Sequence, residues 1–541
     1  MNFKINESEQ KLRGGYYTPL DLARYISEWV LGASVDGPIL EPSCGNGNFV
    51  EIVSSLKPQC SIIAHELVES EATQATKRIC KSTDLKIFVG DFLEWAYKNY
   101  HLFANKCAGA VGNPPFIRYQ YMEKTVQGYS EALFKLSGLA FTKHTNCWVP
   151  FIIASIHFLK PFARLGMIVP SEIMHVTHSQ ELRRYILENC SKVLIIDPKD
   201  IWFENTLQGV CILLLEKKAS KNNSLGQLCI KEVTNKEFLK IPAEKIFNES
   251  QYIRGELLEG KWTKALLTSE ESQVWTKINH LKSVFSFKEI ADVDVGIVTG
   301  ANEYFLVSDY IVKKYNLEAW AHPMFGRSEH CPGIIYDLFQ HNKNKLDDIP
   351  CNFLWFNSNE DDNILPEMKE YLGYGEQQKL HERYKCRIRS PWYKVPSVYA
   401  TSIGMLKRSH NFPKLIYNAI KAYTTDTAYR IRLLQPYKPD IIVASFINSV
   451  TALSAELEGR FYGGGVLELI PSEIERLVMI ADDTIPIDIN IVNEDVLKLS
   501  PEELLMKQDN IILSHIGLSL DEQKIIRQAW KKLSERRKRI D

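Results

Sequence analysis

Asn113-Pro114-Pro115-Phe116 is the segment of this 541-residue chain whose residue types most directly define a chemistry. Two consecutive prolines have no backbone N–H, so they form a stiff turn whose carbonyls are free to accept hydrogen bonds. Beside the side-chain oxygen of Asn113, these carbonyls make a receptor for a planar NH₂ group. Phe116 supplies a flat face for the ring that carries the amine. Accepting both amine hydrogens localises the nitrogen lone pair for in-line attack on an electrophile. No strong base is required, because the proton can leave after the transfer.

A second group lies upstream. Glu41-Pro42-Ser43-Cys44-Gly45-Asn46-Gly47-Asn48-Phe49 contains the two glycines of a sharp turn that can bring backbone close to a ligand. Glu66 follows about twenty residues later, where a carboxylate can accept both hydroxyls of a ribose. Asp91, in Gly90-Asp91-Phe92-Leu93-Glu94-Trp95, can accept an adenine amino hydrogen. The loop holds no Lys or Arg to meet a phosphate. Glu41, Glu66 and Asp91 therefore describe a crevice for an adenosine without a pyrophosphate.

These residues converge only if each ends a strand of one sheet. Residues 1–245 alternate short apolar runs with helical patterns, which argues a mostly parallel sheet covered on both faces. Strands are expected at 38–40, 61–65, 85–89, 108–111, 166–169, 193–197 and 210–215, and helices at 49–56, 151–160 and 180–189. Ligands bind beyond the carboxyl ends of such strands. Lys217 to Gly226 is polar and reads as an exposed hairpin or linker. The expected fold is α/β, a Rossmann-like domain at 1–245 followed by a mixed α+β domain at 246–541. A last helix is expected from Asp521 to Arg539, with Glu535 to Arg539 as its solvated end.

In this order of motifs the chain resembles the γ-class, Taq-type DNA adenine-N6 methyltransferases. Gly15-Tyr16-Tyr17-Thr18-Pro19 matches their N-terminal motif, and the glycine loop, Glu66, Gly90 to Trp95 and Asn113 to Phe116 follow in sequence. The resemblance covers residues 14–216. It implies S-adenosylmethionine held by Tyr17, Thr18, Glu41, Ser43, Gly45, Gly47, Glu66, Asp91 and Phe151. It also implies catalysis by Asn113, Pro114 and Phe116 on an adenine flipped out of the duplex, with Phe203 stacking on its other face. Core packing is an alternative reading of Phe151 and Phe203. Phe116 stands where Tyr is usual, which keeps the stacking face and loses a hydroxyl. Flipping follows from geometry, since an amine inside a duplex cannot be approached in line.

The net charge of −1 hides an uneven distribution. Between Lys379 and Lys438 thirteen Lys and Arg stand against two acids, a net of +11, so the rest of the chain carries −12. Aromatics are interleaved with these cations, a composition suited to double-stranded DNA. Arg387, Arg389, Trp392, Lys407, Arg408, Arg430 and Arg432 are the expected contacts. Gly296 to Asn302, Arg387 to Tyr393 and Tyr462 to Gly465 resemble stretches of the family's recognition domains, and their glycines suggest close backbone approach, to DNA or at turns.

Other classes fit less well. No apolar run reaches the ~20 residues of a membrane span, and the polar start is no secretory signal. Eleven cysteines without a CxxC pair read as reduced thiols, so no metal site is expected and a cytoplasmic, nucleoid-associated prokaryotic protein is. A fused nuclease lacks room before the first motif, and the Asp200 and Glu216-Lys217-Lys218 spacing falls within the sheet. The expected function is the modification enzyme of a type II restriction–modification system, partnered by a separately encoded endonuclease. An orphan regulatory enzyme, an RNA or protein methyltransferase and an inert DNA-binding subunit are the alternatives.

Overall fold

Strand order decides where a ligand can sit in this chain. In a computed structural model, which describes residues 17–199, 209–220, 224–258, 260–357, 365–462 and 465–538, two compact units divide at Leu266 and Leu267. The first is built on a nine-stranded sheet of order β3-β2-β1-β4-β5-β7-β6-β8-β9. Its central strands are β1 (Ile39–Glu41), β2 (Ser61–Glu66), β3 (Asp84–Val89), β4 (Cys107–Gly112) and β5 (Leu159–Pro170). These five pair in parallel. The remaining strands are β6 (Cys190–Pro198), β7 (Val210–Lys217), β8 (Gln227–Val233) and β9 (Ile253–Arg254), and β7 runs antiparallel to both β5 and β6. The chain leaves β1 toward β2 on one side and returns to β4 on the other, which opens a crevice at the carboxyl ends of β1 and β4.

Helix α1 (Leu20–Leu31) leads into the sheet and sets Tyr17 and Thr18 just before its first turn. It lies close because Gly109 of β4 and Gly166 of β5 have no side chain. A Cβ on either would fall within 2.6 Å of Val30 or Ile26. α2 (Asn48–Leu56), α3 (Glu69–Lys77) and α4 (Phe92–Lys98) follow the glycine loop, β2 and β3 in turn. α5 (Lys124–Leu136) and α6 (Trp148–Phe158) lie between β4 and β5, and α7 (Gln180–Asn189) precedes β6. α6 starts earlier than expected because Pro150 is tolerated in a first turn, and stops at Phe158 because Pro161 biases Lys160 to extended backbone.

The first unit extends past residue 245, since β8, α8 (Ala243–Glu249) and β9 add to the same sheet face and edge. Phe247 of α8 packs 4.8 Å from Trp29 of α1, and Arg164 binds Glu244 at 2.6 Å. Lys217 and Lys218, expected to open a linker, are instead bound inward. The Lys217 ammonium donates to the carbonyls of Ile156, His157 and Leu159 at 2.6–3.3 Å, and Lys218 to those of Leu187 and Glu188 at 3.0 and 2.8 Å. Each neutralises the carbonyl end of a helix, α6 and α7 respectively. Glu216 pairs with Arg164 at 3.3 Å, so this acidic–basic triplet is structural.

The second unit is mixed α and β. A five-stranded sheet joins Ala291–Val295, Ala428–Leu433, Ile403–Leu406, Leu415–Asn418 and Ile335–Tyr336 in that order. A core rich in aromatics, including Tyr304, Phe305, Phe353, Phe356 and Tyr371, packs beside it. The chain's last described helix runs from Leu520 to Lys538. Its end is not solvated: Arg537 is 3% exposed and pairs with the buried Glu456 at 2.8 Å. Arg537 also donates to the carbonyls of Gly465, His410 and Asn411.

Candidate active site

The glycine loop between β1 and α2 is shaped by its own hydrogen bonds. Cys44 N–H donates to the His65 carbonyl at 2.8 Å, and Gly45 N–H to the Glu66 carboxylate at 2.8 Å. Gly45 and Gly47 have φ of +52° and +94°, where other residues are strained. The two glycines do different work. Gly45 lies under the Tyr17 ring at the cavity wall, whereas a Cβ on Gly47 would lie 2.7 Å from Ala75 of α3. Gly47 therefore lets α3 pack against the loop and does not itself face the ligand space. Asn48 donates to the Thr18 carbonyl at 2.7 Å and ties the segment before α1 to the loop.

A cavity of about 620 Å³ opens at the carboxyl ends of β1, β2, β3 and β4. Tyr17, Thr18, Ser43, Gly45, Glu66, Asp91, Asn113 and Phe151 all line it. Both oxygens of Glu66 accept backbone amides, from Gly45 at 2.8 Å and Val68 at 2.9 Å, which orients the carboxylate toward the space. Asp91 caps α4 through the Glu94 amide at 2.9 Å and lines the cavity. Burial raises the carboxyl of each above the ordinary range, against the lowering effect of these amides. Five carboxylates line the cavity (Glu66, Glu71, Asp91, Glu94 and Glu123), and no Lys, Arg or His is among its described lining residues. That lining suits a nucleoside bearing positive charge and repels a pyrophosphate. S-adenosylmethionine, a sulfonium-bearing adenosine, fits both the charge and the acceptors.

Asn113 and Pro115 also line this cavity, so the turn after β4 shares one space with Glu66 and Asp91. Pro114 is buried and Phe116 half-buried. Phe116 packs against the cores on both sides of the sheet, so only part of its ring is open. Phe151 is 5% exposed and lies 5.0 Å from Phe92, so it belongs to the core and to the cavity wall at once. Glu41 does not line the cavity. It is 1% exposed beneath Gly112, and neither carboxylate oxygen has a hydrogen-bond partner among the described residues. Burial holds its carboxyl well above the usual range, the Ser43 amide opposing and the Glu66 charge adding to this. Phe203 lies outside the described residues.

A family model described as N-6 DNA Methylase matches residues 3–297, more than half of the chain. The chain belongs to this family. The methylase is thus a DNA methyltransferase acting at N6 of adenine, with S-adenosylmethionine as methyl donor. Residues 259–513 match a second family model, the C-terminal domain of type II methyltransferase M.Eco57I. The methylase is 23% identical to the type II methyltransferase M.AccI of Acinetobacter calcoaceticus, over 88% of this chain and 87% of the relative. It is 21% identical to M.XamI of Xanthomonas campestris pv. amaranthicola, over 86% and 84%. The crystal structure of the type IIG restriction endonuclease BpuSI is similar over 98% of this chain and 67% of its own, with 14% identity and a TM-score of 0.43.

In the second unit of the methylase the expected DNA contacts separate into two kinds. Arg389 donates to the carbonyls of Val298 and Thr299, each at 2.7 Å, and Arg430 to those of Ser397 and Val295 at 2.7 and 2.6 Å. Both guanidiniums are spent on the protein's own backbone, and Arg430 stacks 3.7 Å from the Tyr399 ring. Trp392 packs against Tyr304 and Phe305. Lys407 and Arg408 share Glu468 at 3.5 and 2.7 Å, and Arg432 pairs with Asp292 at 2.6 Å. These acids come from outside the basic segment, so its surface charge is smaller than its sequence count. Arg387 is exposed and has no acidic partner among the described residues. Gly296 presses on Thr425, Gly300 on Lys385 and Gly465 on Lys538, so these glycines serve internal contacts.

Sequence reading missed several members of the cavity. Leu67 is 61% exposed and lines it, next to Glu66. Ile117, Tyr121 and Met122 line it from the segment after Asn113-Pro114-Pro115-Phe116. Leu67 carried a local signal, an apolar residue after a strand-ending acid; the other three carried none. Among the described residues no group of acids, His and Cys is arranged to hold a metal, and no single helix is long and apolar enough to cross a membrane.

Proposed function

We propose that the methylase is the modification enzyme of a type II restriction–modification system, that it flips its target adenine, and that its second unit reads the DNA. Asn113 in one cavity with Glu66 and Asp91 carries this reading. The Asn113 side-chain oxygen and the Pro114 carbonyl accept the two amine hydrogens of the extruded adenine, and the open part of Phe116 stacks on its ring. Bound S-adenosylmethionine supplies an electrophilic methyl group. Asn113 and Pro114 hold the amine so that its lone pair faces that group, and the amine's proton leaves to water after transfer. The names of the relatives support the restriction–modification setting, with a separately encoded endonuclease cutting the same site in the same cytoplasm.

The test incubates the protein with unmethylated genomic DNA and labelled S-adenosylmethionine, then digests the DNA to nucleosides. Label is expected in N6-methyladenine, at one sequence motif, and none with Asn113→Ala. Label in another base, or label that survives the substitution, overturns the assignment of Asn113. Motif sequencing followed by challenge with an endonuclease that cuts the motif tests protection.

A further inference from the structure

The short helix Tyr384–Arg387 and its flanks carry a cluster of cations that the protein does not use. Arg383, Lys385 and Arg387 are exposed and have no acidic partner among the described residues. Tyr384 stands between the first two and Ile388 follows the last, 64% and 63% exposed. The Lys385 ammonium and the Arg387 guanidinium lie 5.8 and 6.0 Å from the centre of the Tyr384 ring. One acid, Glu382, is adjacent, with its carboxylate 3.9 Å from His381.

The segment is held from behind. Cys386 is fully buried with its thiol on the Thr299 carbonyl, and Arg389 is bonded to Val298 and Thr299. Lys385 Cβ sits against Gly300, where a side chain would not fit. Anchored at Cys386 and Arg389, the turn presents its other side chains to solvent. Holding like charges together on an ordered surface is unfavourable unless a polyanion meets them. An aromatic ring flanked by cations adds a stacking or wedge element that phosphate alone does not need.

We infer that Arg383, Lys385 and Arg387 are phosphate contacts of the double-stranded DNA substrate, and that Tyr384 packs on the nucleotide between them. The inference rests on the reading of the second unit as the DNA-binding one, and it selects this turn over Arg389 and Arg430, whose guanidiniums bind backbone carbonyls.

Affinity of the full protein for a duplex carrying its methylation motif, measured against salt concentration, tests it. Arg383→Gln/Lys385→Gln/Arg387→Gln should weaken binding by at least about tenfold and lower the slope of log K against log salt by about 3. Cofactor affinity should be unchanged, which shows that the first unit is intact, and an unchanged denaturant-unfolding curve shows that the second unit is folded. Tyr384→Ala should weaken binding without altering the slope. A charge-matched variant, Lys498→Gln/Lys524→Gln/Lys531→Gln, should leave affinity nearly as it was. Equal loss in both triple variants assigns the effect to bulk charge and overturns the inference. Unchanged affinity and slope in the first variant, with wild type still binding and methylating DNA, overturns the inference alone. Failure of the wild type to bind duplex DNA overturns the DNA-binding reading of the unit as well.

Discussion

The Ser43 hydroxyl donates a hydrogen bond to the main-chain carbonyl of Asn113 at 3.2 Å. This bond joins the glycine loop after β1 to the Asn113 turn after β4, so the proposed cofactor wall and the proposed amine receptor are tied together. Ser43→Ala should lower kcat about three- to tenfold, the effect of one lost hydrogen bond of about 0.5–1.5 kcal/mol. Cofactor Kd should move less than kcat. Single-turnover methylation and calorimetric titration check this. A change confined to Kd would assign Ser43 to cofactor binding alone.

Glu66 and Asp91 are expected to take the ribose hydroxyls and the adenine amine as ionised acceptors. Glu66→Gln and Asp91→Asn should each weaken cofactor binding by about 10- to 100-fold, the range for hydrogen bonds to charged groups. Burial raises both carboxyls, so protonation sets in at higher pH than for ordinary carboxylates. Cofactor affinity should therefore fall with falling pH above the usual Asp and Glu range. Each substitution should remove one step of that dependence. Affinity that stays flat down to the ordinary range would show that these groups are not the acceptors.

Glu41 binds a proton more tightly in the folded protein than in the unfolded chain. Its contribution to stability is thus complete below the unfolded pKa and is lost as pH rises through the folded one. Glu41→Gln does not titrate, so it should melt higher than wild type at pH 8, by about 2–4 °C per kcal/mol relieved. The difference should vanish at pH 4. Melting curves across pH decide this, and a difference independent of pH would show that Glu41 does not titrate in that window. A methyl group at Gly112 would meet the same carboxyl at 2.7 Å, so Gly112→Ala should destabilise the turn that carries Asn113.

Arg537 and Glu456 are a buried pair in the second unit. Removing one partner strands the other in a low-dielectric interior. Arg537→Ala should cost about 3–5 kcal/mol in denaturant unfolding. Arg537→Met with Glu456→Leu should cost much less, since neither charge is left alone. Equal losses in the two variants would assign the effect to packing.

The elements nearest the site were the most legible. β2, β3, β4, β7 and α7 lie within two residues of where apolar runs and helical periodicity put them. β2, β4 and β7 are interior strands that read as continuous apolar runs, the exposed edge strand β3 still carries apolar Leu85, Ile87, Phe88 and Val89, and helix spacing marks one buried stripe. β8 and β9 were missed because Gln227–Val233 is half-exposed and mixes polar with apolar residues, and Ile253–Arg254 is two residues long. The division between units was therefore expected too early.

Residue type and order were enough to determine the reaction class and the cofactor of the first unit. The acidic crevice and the turns around it follow from Glu66, Asp91, the glycine loop and the proposed amine receptor Asn113 to Phe116, because each is a local motif at a strand end. What each charge or ring faces was decided only in three dimensions. Arg389 and Arg430 turn inward to backbone carbonyls, Arg537 is buried and Glu41 lies beneath Gly112, while Arg383 and Lys385 remain open. Composition counts charges, but pairing depends on partners such as Asp292, Glu456 and Glu468. These lie 60 to 140 residues away in the chain, and only the packed sheets and helices bring them near.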